Sequence, residues 1–166
     1  MTFSFILMDR ADATRIAQWR YEGEYEVYSF SADEETIAEL LDRRSPYYAV
    51  HDEEGELVGY FVCGTAATVA DTDEPRLFVE PGTLPIGLGL RPDLVGKGLG
   101  VQFVRACLEF ARPMFTPERF CLYVLSWNKR ALKIYERAGF HAARTFLQEN
   151  KHGESEFIEM VRSARL

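Results

Sequence analysis

The stretch from Leu84 to Ala111 constrains the fold more than any other, because two different hydrophobic periods follow each other within it. Apolar residues alternate along the first part, which predicts a β-strand ending at Leu90. The second part has an apolar surface interrupted by a narrow polar stripe, which predicts a helix. Between them lies a turn with glycine at alternate positions, Gly96, Gly98 and Gly100.

This turn has the chemistry of a phosphate site. Glycine allows backbone conformations that other residues avoid and lets N–H groups approach a ligand closely. At a helix N-terminus those N–H groups lack backbone partners, and the helix dipole favours an anion. A P-loop is excluded, because Arg91 stands at its first glycine position and Gly98 follows Lys97. The dinucleotide spacing G-x-G-x-x-G also fails, because its third glycine, counted from Gly96, falls on Val101.

A second motif follows the apolar segment from Phe120 to Leu125, which predicts another strand. Asn128 is a favourable residue for a helix N-cap, and Gly139 is favourable just beyond a helix C-terminus. The residues between them carry apolar side chains on one face and charged side chains on the other. The motif therefore predicts an amphipathic helix that contains Tyr135.

The two motifs together resemble the GNAT superfamily of N-acetyltransferases. Val95 to Gly100 is similar to that family's acyl-CoA loop, Arg/Gln-x-x-Gly-x-Gly/Ala, although Val95 stands where Arg or Gln is usual. Asn128 to Phe140 is similar to the family's second signature, Asn-x-x-Ala-x-x-x-Tyr-x-x-x-Gly-Phe. Both motifs have the family's order and rough separation.

The resemblance implies the GNAT fold, an α+β architecture with a central mixed, mostly antiparallel twisted sheet. About seven strands and about four helices are expected in a single domain over residues 1–166. Helices are predicted to begin at Asp12 and at Ser31 or Asp33, and Pro113 is predicted to lie in a connector. Residues 71–85 are predicted to be irregular. The predicted strands are 3–8, 47–51, 57–65, 84–90, 120–125, 142–148 and 156–162.

The resemblance also implies a reaction, direct transfer of the acetyl group of acetyl-CoA to a primary amine in a ternary complex. The amine would belong to a small molecule or to a peptide N-terminus. The backbone N–H of Leu88 would stabilise the oxyanion, and Gly87 and Gly89 predict a bulged strand edge where the pantetheine arm approaches. The predicted cofactor-binding residues are Leu88, Gly89, Leu90, Val95, Gly96, Lys97, Gly98, Leu99, Gly100 and Asn128.

Tyr135 aligns with the family's general acid, which protonates the departing thiolate. A tyrosine, with a reference pKa of ~10, carries its proton at neutral pH. The alternative interpretation of Tyr135 is a core tyrosine on an apolar helix face. The base that deprotonates the amine has no clear candidate on the predicted strand. Glu22 is the candidate base carried forward, with a water relay as the alternative.

An aromatic and acidic segment after the first predicted helix is a candidate acceptor pocket. Trp19, Tyr21, Tyr25 and Tyr28 could form its wall and meet a cationic amine through their ring faces. The alternative is a hydrophobic patch that covers the sheet. The resemblance further implies that this segment and the closing hairpin set acceptor specificity.

Composition limits the remaining function classes. The chain has 166 residues and a net charge of -7, which argues against a nucleic-acid partner. No apolar run approaches a membrane span, and Cys63, Cys107 and Cys121 lack metal-ligand spacing. The N-terminus lacks a signal-peptide pattern, so a cytoplasmic protein is expected, and a homodimer is compatible with the sequence. The alternative function is a non-catalytic acyl-CoA-binding sensor.

Overall fold

The computed structural model describes residues 1–69, 72, 79–150 and 153–165. It contains seven strands and four α-helices, together with short 3-10 helices at Gly23–Tyr28, Thr65–Ala67 and Pro92–Leu94. In chain order the elements are β1 Ser4–Leu7, α1 Arg10–Ala17, α2 Glu34–Leu40, β2 Tyr47–His51, β3 Leu57–Cys63, β4 Thr83–Leu90, α3 Gly100–Phe115, β5 Arg119–Leu125, α4 Lys129–Arg137, β6 His141–Asn150 and β7 Gly153–Ser163.

The strands form one mixed sheet in the order β1-β2-β3-β4-β5-β7-β6. Every neighbouring pair is antiparallel except β4 and β5, which are parallel. The parallel pairing joins only Thr83–Pro85 to Arg119–Cys121, so the rest of β4 has no ladder with β5. The predicted α+β fold and mixed sheet are confirmed, and the early end of this ladder leaves an opening in the middle of the sheet.

Helices cover both faces of the sheet. Residues alternate across β2, so Tyr48 and Val50 pack in one buried cluster with Phe103 of α3, while Ala49 packs in the other. The second cluster holds the buried faces of α1 and α2, including Ile16. This alternation follows from the period of a strand, whose successive side chains point to opposite faces.

The N-terminus of α2 agrees with the sequence prediction, whereas the N-terminus of α1 differs from it. Asp33 caps α2 by accepting a hydrogen bond from the Thr36 N–H at 2.8 Å. Asp33 is one of the two residues predicted to begin this helix. The first helix is capped by Asp9, which accepts the Asp12 N–H at 2.8 Å, so the prediction that Asp12 begins this helix is wrong. The Asp12 side chain is instead buried and lies 3.1 Å from His51 Nε2.

Helix α3 continues through Pro113 to Phe115, so the prediction that Pro113 lies in a connector is wrong. Proline removes one backbone donor, and in the last turn of a helix this loss affects a single hydrogen bond. The helix ends at Thr116, which adopts a left-handed φ of 44°. Most of the segment predicted to be irregular, 71–85, lies outside the described residues, and Thr83 already belongs to β4. No described helix has both the length and the apolar content that crossing a membrane requires.

Candidate active site

Strand β4 turns the backbone groups of Leu88 and Leu90 toward the opening in the sheet. The Gly64 N–H donates to the Pro85 carbonyl at 2.9 Å, and the Arg91 N–H donates to the Val58 carbonyl at 2.8 Å. These two bonds place the odd-numbered residues of β4 on the β3 side. Because backbone groups alternate along a strand, the even-numbered residues face the other way.

The predicted bulge at Gly87 and Gly89 is wrong. The register between β3 and β4 runs unbroken from the pair Gly59 and Leu90 to the pair Cys63 and Ile86. Glycine is instead needed at position 89 for packing, because an added Cβ would lie 2.5 Å from the ring of Tyr60. The missing side chain therefore makes room for a tyrosine beside the strand.

The loop after β4 presents uncapped backbone N–H groups. Gly96 and Gly98 have φ values of 79° and 81°, in the left-handed region that favours glycine. An added Cβ at Gly98 would meet no atom within 4 Å, so this part of the loop is open. Leu99 is the N-cap of α3 and supplies no side-chain cap. The first turn of α3 thus retains the free donors that bind an anion.

Arg130, which the sequence analysis did not single out, supplies a positive charge near this loop. Its guanidinium carbon lies 4.2 Å from the ring centroid of Tyr25, and its Nη1 lies 3.9 Å from the Cβ position of Gly96. The second motif leaves position 130 unspecified, so only the packing of α4 against the loop identifies it. Lys97 is exposed in the same loop.

Two cavities approach each other where β4 and β5 separate. The loop-side cavity has a volume of about 160 Å³ and reaches Val95, Gly100 and Arg130. The hairpin-side cavity has a volume of about 530 Å³ and reaches Gln148 and Phe157 of the β6–β7 hairpin. We call the residues that line both cavities the boundary; they are Tyr28, Tyr60, Leu88, Asn128, Ala131 and Tyr135.

Several tyrosines lie at this boundary or beside it. Burial raises the pKa of Tyr21, Tyr28, Tyr60 and Tyr135, so all four are neutral at physiological pH. The Tyr21 hydroxyl donates to the Leu90 carbonyl at 2.6 Å. Within the described part of the chain, no hydrogen bond joins the hydroxyl of Tyr60 or Tyr135 to another residue. These two groups are therefore free to bond to a ligand.

Asn128 connects the two halves of the site. Its Oδ1 accepts the Ala131 N–H at 3.1 Å and so caps α4, as its sequence context predicts. Its Nδ2 donates to the Tyr28 hydroxyl at 3.0 Å. Because Tyr28 ends the 3-10 helix Gly23–Tyr28, this buried amide fixes that helix against α4. Direct contact between Asn128 and a cofactor stays a prediction.

The structure separates the residues predicted to form the acceptor pocket. Tyr28 lines both cavities, whereas Tyr21 and Tyr25 line the loop-side cavity but not the hairpin-side cavity. Trp19 packs with the α1 and α2 cluster, its ring centroid 6.5 Å from that of Tyr60, and it lines neither cavity. Glu22 is exposed on an outer groove and also lines neither cavity. The structure therefore does not bring the candidate base together with Tyr135.

Several cavity residues were not identified from the sequence. Tyr60 lies on β3, and its place at the boundary depends on the pairing of β3 with β4. Tyr123, Gln148, Ser155 and Phe157 reach the hairpin-side cavity from β5 and the closing hairpin. Alternation within a hairpin does not reveal which face meets the opening, so these residues carried no distinguishing signal.

The buried tyrosines and cysteines predict alkaline instability. Burial raises the pKa of Tyr47 to about 12 and that of Cys121 to about 11, whereas in an unfolded chain the corresponding pKa values are ~10 and ~8.5. Their contribution to stability is fully present below the unfolded pKa values and is lost as pH rises through the folded ones. We expect the Tm to fall steadily above about pH 9. Thermal melts followed by circular dichroism test this, and a Tm unchanged from pH 8 to pH 11 would contradict it.

Comparison with known proteins identifies the family. The sequence model of the acetyltransferase (GNAT) family matches residues 13–140. A mycothiol acetyltransferase from Propionibacterium freudenreichii subsp. shermanii is 38% identical over 95 residues, or 57% of this chain. The match spans only 27% of that relative, so the chain corresponds to a minor part of its length.

Solved structures have the same fold. The aminoglycoside acetyltransferase AAC(6')-Ib in complex with coenzyme A superimposes with a TM-score of 0.71 at 21% identity, covering 98% of this chain and 95% of that one. A chimera of the Vibrio cholerae spermidine N-acetyltransferase SpeG and hSSAT superimposes with a TM-score of 0.71 at 16% identity, covering 99% and 97%. The family match extends from α1 through α4, so it includes the glycine loop at residues 96–100 and all of the boundary residues. This chain therefore belongs to the acetyltransferase (GNAT) family, whose members take their acetyl group from acetyl-CoA.

Proposed function

We propose that the chain transfers the acetyl group of acetyl-CoA directly to a primary amine in a ternary complex. The observation that carries this proposal is the meeting of two cavities at one boundary, with Leu88 and Tyr135 among its residues. The cofactor occupies the loop-side cavity and the amine occupies the hairpin-side cavity. The reacting atoms then meet between a backbone donor and a protonated phenol.

The cofactor is held mainly by the backbone. Its pyrophosphate accepts hydrogen bonds from N–H groups of residues 96–100, while Lys97 and Arg130 add positive charge. The open space beside Gly98 supports this placement. Its pantetheine arm lies along the even-numbered residues of β4. Tyr21 already bonds the Leu90 carbonyl, and a carbonyl oxygen has a second lone pair for the arm.

The transfer step needs few protein groups. The amine nitrogen attacks the thioester carbonyl, the new N–C bond forms, and the C–S bond breaks. The Leu88 N–H stabilises the oxygen as it gains negative charge. The Tyr135 hydroxyl donates its proton to the sulfur as it leaves. The structural neighbours support an amine as the acceptor, because their names describe acetyltransferases of spermidine and of aminoglycosides.

Free-thiol release from acetyl-CoA across a panel of amines tests the proposal against the sensor alternative. We expect thiol release that depends on the amine, with a matching increase of one acetyl group in the mass of the amine. Calorimetric titration with CoA gives the binding constant independently. Tight CoA binding without turnover on any amine would favour the non-catalytic sensor.

We also propose a domain organisation, a cellular location and an oligomeric state for this chain. The single sheet supports one acetyltransferase domain over residues 1–166. Cys63, Cys107 and Cys121 are buried free thiols, which supports a reducing compartment such as the cytoplasm. We also propose a homodimer, which sedimentation of the purified protein would distinguish from a monomer.

A further inference from the structure

The described residues that line the hairpin-side cavity carry no charged side chain. Aliphatic side chains form much of the lining, and its aromatic rings come from Tyr28, Phe30, Tyr47, Tyr60, Tyr123, Tyr135 and Phe157. Its polar groups are phenol hydroxyls, the amides of Asn128 and Gln148, and the hydroxyl of Ser155. Within the described residues, the lining contains no carboxylate, imidazole, ammonium or guanidinium group.

This lining disfavours a polycationic acceptor. Each ammonium group taken from water into an apolar site loses hydration, and that cost is recovered only when an anion or several acceptors replace the water. Aromatic faces attract a cation, but this attraction is too weak to replace the hydration of several charges. A single amine on an apolar body avoids this cost, and burial favours its uncharged form.

We propose that the acceptor is a small monoamine with an apolar or aromatic body, which binds in the hairpin-side cavity as the free base. This inference rests on the proposed function and specifies its substrate class. A volume of about 530 Å³ lies within the range of small-molecule sites. The class differs from the spermidine and aminoglycosides named for the structural neighbours.

Entry as the free base accounts for every proton without a protein base. The uncharged nitrogen brings two protons, forms the N–C bond and loses one of those protons when the amide forms. The departing sulfur gains one proton when the C–S bond breaks. Tyr135 can supply the sulfur and be reprotonated from nitrogen, directly or through water, so its own protonation state is unchanged over the cycle.

A matched pair of acceptors tests the free-base claim. L-phenylalaninamide and 2-phenylethylamine share a phenyl body, but an α-amino group is less basic than an alkylamine by roughly 2 pKa units or more. We expect the acidic inflection of kcat/KM against pH to follow the acceptor and to move upward by about that amount for 2-phenylethylamine. The same inflection for both acceptors would overturn the claim, because it would reveal a base that belongs to the protein.

Acceptor selectivity tests the monoamine claim. We expect kcat/KM for 2-phenylethylamine to exceed that for spermidine by at least about tenfold, because the cavity poorly replaces the hydration of an additional ammonium group. A tenfold ratio corresponds to ~1.4 kcal/mol. Equal or faster turnover of spermidine or ribostamycin would overturn the proposal. Complete lack of thiol release with every amine would instead overturn the proposed function itself, so the two failures are distinguishable.

Gln148→Glu provides a gain-of-function test with nearly unchanged shape. Gln148 lines the cavity on β6, and a carboxylate there should raise kcat/KM for spermidine by about tenfold relative to wild type. Thr145→Glu is the matched control, because it adds the same charge at an exposed position of β6 outside the cavity lining. An equal increase in both variants would contradict the proposed location of the acceptor.

Discussion

Tyr135→Phe is expected to lower kcat by about 10²- to 10⁴-fold and to leave the affinity for CoA nearly unchanged. The substitution removes one hydroxyl from a half-buried ring that packs against Phe140 at 6.1 Å between centroids, so the packing of α4 is retained. Tyr135 lies at the boundary, and its hydroxyl makes no hydrogen bond within the described residues, so its loss leaves no described partner unsatisfied. Steady-state kinetics with saturating amine, together with calorimetric titration of CoA, separates the two effects.

Tyr48→Phe is the matched control for this prediction. Its ring is buried, its hydroxyl donates to the Met114 sulfur at 3.3 Å on the α3 side of the sheet, and the residue lines neither cavity. We expect its kcat to stay within about threefold of wild type, and its free energy of unfolding to fall by no more than ~1 kcal/mol. Wild-type kcat for Tyr135→Phe would show that Tyr135 is a core tyrosine and that another group protonates the thiolate.

Gly98→Glu is expected to abolish measurable binding of CoA. The residue has a φ of 81°, a backbone conformation that residues other than glycine and asparagine rarely adopt. The added carboxylate would also lie beside the N–H groups that hold the pyrophosphate, where two like charges repel each other strongly. Calorimetry and ligand-induced thermal stabilisation by CoA both measure the loss.

Gly98→Asn separates charge from backbone strain. Asparagine tolerates the left-handed conformation better than most residues and carries no charge. We therefore expect this variant to retain CoA binding with a Kd raised by about tenfold or less. Retained binding in Gly98→Glu would move the pyrophosphate away from the loop and remove the basis of the cofactor placement.

Local sequence patterns predicted the parts of the site that each lie on one short segment. The alternating glycines give the loop its positive φ values, and Asn128 caps α4 as its motif requires. Tyr135 reaches the boundary because the α4 face that carries it is fixed by the same helix period. These features depend on residues near one another in the chain, which is the information that spacing and capping preferences contain.

Features that depend on strand pairing were missed or misplaced. Tyr60 becomes part of the site only because the pairing of β3 with β4 places it opposite Gly89. The same unbroken pairing explains why the bulge predicted at Gly87 and Gly89 is absent. Arg130 reaches the loop through the packing of α4. Trp19 and Glu22 are neighbours of Tyr21 in sequence, yet the chain directs them to the core and to the outer groove. Proximity in sequence does not determine which side chains share a cavity.

A crystal structure of the protein with CoA tests the central claim most directly, because the claim is that donor and acceptor meet at the boundary. We predict a pyrophosphate bonded to backbone N–H groups of residues 96–100 and a sulfur about 3 Å from the Tyr135 hydroxyl, or one water molecule away. A cofactor bound elsewhere, or a sulfur that β4 separates from Tyr135, would contradict this account.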